Sequence, residues 1–124
     1  MRIAIIGAGN VGGALGGSWA RAGLEVVFGV REPQSAKTDA LLAATGPNAA
    51  AATVPAAVRG AEVVALATPW TATPAAVQSA GDLTGKVLID CTNPLKFTPG
   101  VGLELALGFS ESGAEHVARW ATGA

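Results

Sequence analysis

At 124 residues, half of them apolar, the chain can bury a core as one domain without disulfides or metal. A formal net charge of -1, with the 8 Lys and Arg scattered, gives no basic field for nucleic acid or anionic lipid. The single cysteine, Cys91, excludes an internal disulfide and any multi-cysteine metal site, and fits a reducing cytoplasm.

Residues 2–6 read as a strand, and its short apolar run ends at Gly7, too soon for the apolar region of a signal peptide. No stretch approaches the roughly 20 apolar residues needed to cross a bilayer, so a soluble, cytoplasmic protein without membrane partners is expected. Gly7-x-Gly9-x-x-Gly12 follows directly and opens a helix over 10–22 that ends at Gly23. Strand before and helix after raise this pattern from weak to specific. Gly7 permits a tight turn, Gly9 lets the backbone approach a diphosphate, and Gly12 lets the helix pack close to the strand. Amides at Asn10 and Val11, aided by the helix dipole, would hold the phosphates. The competing explanation is that these glycines, with Gly13, Gly16 and Gly17, serve only helix-sheet packing.

A second strand covers 25–30 and ends at Arg31. A carboxylate there would select NAD, S-adenosylmethionine or a flavin through ribose hydroxyls; Arg31 suits a 2'-phosphate instead and favours NADP. Glu32 opposes that preference, and Lys37 is either a second cation or an exposed helix lysine. Ser35 caps a helix over 36–45 that stops at Gly46. A weak strand follows near 50–54, then a crossover turn over 55–59 and a strand over 62–67.

Thr68-Pro69-Trp70 lies just past that strand, at the edge where ligands bind in this architecture, with Trp70 equally suited to wall packing. Thr73 before Pro74 reads as the cap of a helix over 75–80, and 86–90 is a fifth strand, followed by Asn93-Pro94 at the same edge. Residues 97–108 read as loop. Ser112-Gly113-Ala114-Glu115 is a capping box for a last helix through Ala121.

Strands alternating with helices specify an α/β fold, a Rossmann-type doubly wound parallel sheet of order 3-2-1-4-5 forming one NADP-binding domain. A sixth strand has no place before Ala124, which suggests a domain cut short or a five-stranded minimal version.

Gly7 to Gly12, Trp19-Ala20-Arg21-Ala22-Gly23, Val26 to Arg31, Ala67-Thr68-Pro69-Trp70 and Asp90-Cys91-Thr92-Asn93-Pro94-Leu95 together resemble the coenzyme F420-dependent NADP oxidoreductase family. The resemblance implies phosphate contacts at Gly9, Asn10, Val11 and Gly12, a 2'-phosphate contact at Arg31, cofactor lining at Thr68, Pro69 and Trp70, and Asn93 and Pro94 at the nicotinamide end. Val30 stands where better-known members carry a small hydroxyl residue. In the family the deazaflavin side draws on segments beyond this chain's last residue.

The expected function is NADP(H)-dependent hydride transfer to a deazaflavin such as coenzyme F420, or to another small acceptor, in a chain inclined to dimerise. A non-catalytic NADP(H)-binding or sensing module is the alternative. No catalytic residue and no metal site is assigned. The chain lacks tyrosine, which leaves His116, a carboxylate, Cys91 or water as proton donor. Hydride transfer itself needs no protein nucleophile.

Overall fold

The computed structural model describes residues 1–92, 95–98, 102–105, 113–121 and 123, with 95–98 and 102–105 as backbone only. Five parallel strands, β1 (Arg2–Ile6), β2 (Glu25–Gly29), β3 (Ala49–Ala52), β4 (Val63–Leu66) and β5 (Val87–Asp90), form one sheet in the order β3-β2-β1-β4-β5. Helices α1 (Asn10–Arg21), α2 (Ala36–Thr45), α3 (Val54–Arg59), α4 (Thr73–Ala80) and α5 (Gly113–Trp120) accompany them. This is the α/β Rossmann-type arrangement and strand order expected from the sequence.

Side chains alternate across a strand, so β1 feeds two cores at once. Ile3 and Ile5 join Val26, Phe28 and Ala65 beneath α1 and α2, while Ala4 and Ile6 join Val64 and Leu66 beneath α3, α4 and α5. Burial on both faces explains why these strands read as continuous apolar runs. Gly16 brings α1 close to the sheet: a Cβ there would collide with the ring tip of the fully buried Phe28.

Both α2 signals act as read. Ser35 Oγ accepts from the Thr38 amide at 3.2 Å, and Gly46 leaves the helix at φ +112°. Three readings need correction. Residues 54–59 form a helix rather than a crossover turn, because a proline in the first helical turn needs no amide partner there. Thr73 is inside α4 rather than its cap; a 3-10 turn at Trp70–Ala72 already brings the chain in helically, and the Thr73 hydroxyl donates to the Pro69 carbonyl at 3.0 Å. Within 97–108, read as loop, β7 (Gly102–Leu105) pairs antiparallel with β6 (Leu95–Thr98). Ser112 of the expected capping box lies outside the described residues. Among the described residues no helix is long and apolar enough to cross a membrane.

Candidate functional site

From β1 the chain moves outward through β2 to β3, then returns to β4 and β5 on the other side of β1. Connections leaving in opposite directions open a crevice at the carboxyl ends of the strands. A cleft of about 770 Å³ occupies that place. Its floor is Ile6, Gly7, Ala8 and Gly9; one wall carries Gly29, Val30, Arg31, Glu32, Ser35 and Lys37, and the other Thr68, Pro69, Ala72, Ala75, Ala76 and Ser79. A more open hollow of about 530 Å³, lined by Glu32 to Ser35 and Thr53, has neither a cation nor the glycine loop.

The three fingerprint glycines have three different reasons to lack a side chain. Gly7 turns at φ +104°, and a Cβ there would lie 2.7 Å from the Ala67 carbonyl oxygen, so it locks the loop against the end of β4. A Cβ on Gly12 would strike the Gly7 carbonyl oxygen. At Gly9 a Cβ would meet nothing within 4 Å, so packing does not require glycine there. The helical ladder of α1 begins with the Gly13 amide donating to Gly9 O at 2.8 Å. The amides of Asn10, Val11 and Gly12 have no protein acceptor among the described residues, and no side chain caps them. Asn10 is exposed, and Val11 is 52% exposed despite being apolar.

On the β2 side, Arg31 and Lys37 both line the cleft, exposed and without an ion-pair partner among the described residues. Lys37 is in the first turn of α2, so the helix that begins at Ser35 delivers a second cation to the wall that holds Arg31. Glu32 shares that wall. Its carbonyl accepts from the buried Thr38 hydroxyl at 3.0 Å, and Ser35 Oγ donates to Thr38 Oγ1 at 3.1 Å, which pins the turn.

On the β4 side, Thr68 and Pro69 line the cleft, and Thr68 Oγ1 is 2.9 Å from Thr73 Oγ1. Trp70 is not among the lining residues. It packs on α5, with its ring centroid 6.0 Å from that of His116 and 5.4 Å from that of Trp120. Of the groups considered as proton donors, His116 is therefore in this aromatic cluster. Cys91 follows β5, its thiol pushed up by burial and then by the neighbouring Asp90 carboxylate. Asp90 Oδ1 accepts from both the amide and hydroxyl of Thr92, at 2.8 and 2.5 Å. Asn93 and Pro94 lie outside the described residues.

The structure thus brings Gly7, Gly9, Arg31, Thr68 and Pro69 to one cleft, with Asn10, Val11 and Gly12 at the adjoining helix start. Sequence reasoning missed the α4 wall and Thr73. A helix starting directly after Thr68-Pro69 was the available signal.

The family model of NADP oxidoreductases, coenzyme F420-dependent, matches residues 2–94. The chain belongs to that family. It is similar to a candidate F420-dependent NADP-reductase from Arthrobacter sp. FB24, at 32% identity and a TM-score of 0.85, over 94% of this chain and 56% of that one. A hypothetical protein from Sinorhizobium meliloti aligns at 26% identity and a TM-score of 0.82, over 100% of this chain and 58% of that one. An imine reductase from Bacillus cereus aligns at 27% identity and a TM-score of 0.61, over 74% and 32% respectively. The family member described here thus spans a little over half the length of the first two. No curated protein matches it.

Proposed function

We propose that the cleft binds NADP(H) and that the chain serves NADP(H)-dependent reduction or oxidation of a small acceptor, a deazaflavin such as coenzyme F420 being the first to test. The observation that carries this reading is Gly9. It alone of the three fingerprint glycines has open space where a side chain would go, beside three amides without acceptors.

Gly9, Asn10, Val11 and Gly12 would hold the diphosphate through backbone N–H groups at the positive end of α1. Arg31 and Lys37 would take the 2'-phosphate, the guanidinium through paired hydrogen bonds and the ammonium as a point charge. With the adenosine end at β2 and the diphosphate over β1, the second nucleoside would fall on the β4 side, where Thr68 and Pro69 would orient it, and the family resemblance would add Asn93 and Pro94 at the nicotinamide end. The bound cofactor would supply hydride chemistry at the nicotinamide ring. This chain's residues bind and orient it; the described β4 wall of the cleft carries no titratable side chain. A single cysteine and a net charge of only -1 suit work in the cytoplasm, and a second copy would contribute to the acceptor side.

The absence of titratable groups from that wall also favours a second reading, an NADP(H)-binding module without turnover. Titration calorimetry with NADPH and NADH, on wild type and Arg31→Ala, tests the binding. NADPH should bind more tightly, and the variant should lose roughly 1.5–3 kcal/mol for NADPH and little for NADH. Equal losses would refute the 2'-phosphate assignment. NADPH oxidation with deazaflavin, flavin and ferric acceptors then separates enzyme from module.

A further inference from the structure

The Thr73 hydroxyl is fully buried and lies 3.0 Å from the Pro69 carbonyl oxygen and 2.9 Å from the Thr68 hydroxyl. A threonine hydroxyl has one proton and two lone pairs. If the Thr73 proton goes to Pro69, the proton between the two hydroxyls must come from Thr68, and both internal hydrogen bonds form. If Thr73 donates to Thr68 instead, the Pro69 bond is lost and one internal bond remains. Because the Thr73 hydroxyl itself is out of reach of water, the arrangement in which it both donates and accepts is favoured.

We infer that Thr73 is a positioning residue that draws the Thr68 proton away from the cleft, so that Thr68 faces a ligand as a hydrogen-bond acceptor. Thr68 then takes a ligand group that carries a proton and gives nothing to a phosphate oxygen, which only accepts. It sits beside Gly7, across β1 from Arg31, because the amide of Thr68 is 3.2 Å from a Cβ built on Gly7. Resting on the cofactor reading above, this makes its partner a ribose hydroxyl or the carboxamide NH2 of the second nucleoside. Thr68 and Thr73 thereby fix where the diphosphate ends and the nicotinamide riboside begins.

The test uses two probes, NADPH and adenosine 2'-phosphate 5'-diphosphate, which lacks the second nucleoside. Thr73→Val keeps the shape and removes the hydroxyl; Thr73→Ser keeps the hydroxyl. The valine variant should bind NADPH about three- to tenfold more weakly, from the worth of one hydrogen bond, and the fragment within about twofold of wild type. The serine variant should bind both probes like wild type. Equal weakening for both probes, no weakening for either, or a serine variant as impaired as valine would overturn the inference. Should Thr73→Val not fold, Thr68→Val must show the same selective loss, and equal or absent losses there overturn it as well. Wild-type protein that binds neither probe defeats the cofactor reading and this inference together. Wild type that binds both, with the variants treating the probes alike, defeats only the inference.

Discussion

Replacing Gly9 with alanine should separate folding from binding. Its φ of -78° and ψ of -160° suit any residue, and the added methyl meets no atom within 4 Å. Two backbone effects oppose each other. Stiffening the unfolded chain stabilises by about 0.4–1 kcal/mol, and alanine is the poorer N-cap by roughly 0.5–1 kcal/mol. The net change should stay within about 1 kcal/mol, a shift of at most about 4 °C in Tm for a chain of this length. The methyl would nonetheless stand where a diphosphate must approach the α1 amides, and NADPH affinity should fall at least about tenfold, or ~1.4 kcal/mol. Gly12→Ala is the contrast. Its Cβ strikes the Gly7 carbonyl, backbone against side chain, and should cost about 1–3 kcal/mol of stability through forced shifts. Thermal denaturation and NADPH calorimetry on both variants read the two effects. A Gly9→Ala protein that binds NADPH like wild type, or that is destabilised as much as Gly12→Ala, would refute this reasoning.

Three further changes have signed outcomes. Gly16→Ala should lower stability in urea unfolding by about 1–3 kcal/mol, because the new methyl drives into the buried Phe28 ring. Glu32→Gln should tighten NADPH binding by about two- to fivefold at low salt and less at high salt, since a carboxylate leaves the wall that holds Arg31 and Lys37; no change at low salt would place Glu32 outside the 2'-phosphate's field. Cys91 should be alkylated with a pH midpoint above the ordinary thiol value of 9.0. Burial is the first cause, so Asp90→Asn should lower that midpoint only in part. Folding favours the protonated thiol, so this contribution to stability is present below the ordinary value and lost as pH rises through the folded-state value.

The sheet and its order were legible because residues 3–6, 26–29 and 63–66 are buried or half-buried with both faces covered and so carry unbroken apolar runs. The glycine loop was legible because strand, loop and helix stand in sequence without a gap. What escaped the sequence was local competition. Residues 55–59 read as a crossover turn, and Pro55 is in fact in the first turn of a short helix. Thr73 before Pro74 reads as a cap, yet a turn inherited from Trp70–Ala72 moved the helix start and turned the hydroxyl to Pro69 and Thr68. The alternation Leu-Lys-Phe-Thr at 95–98 was hidden by the glycine and proline that follow it. Trp70 shows the limit of edge position as a guide: being next to a cleft residue did not decide between the cleft and α5, and the ring went to α5.

The most direct test follows the backbone amides at the start of α1 in a 15N-labelled sample titrated with NADPH. Signals of Asn10, Val11 and Gly12 should shift strongly and their hydrogen exchange should slow, because these N–H groups gain phosphate acceptors. NADPH binding that leaves those three amides unmoved and unprotected would contradict the account.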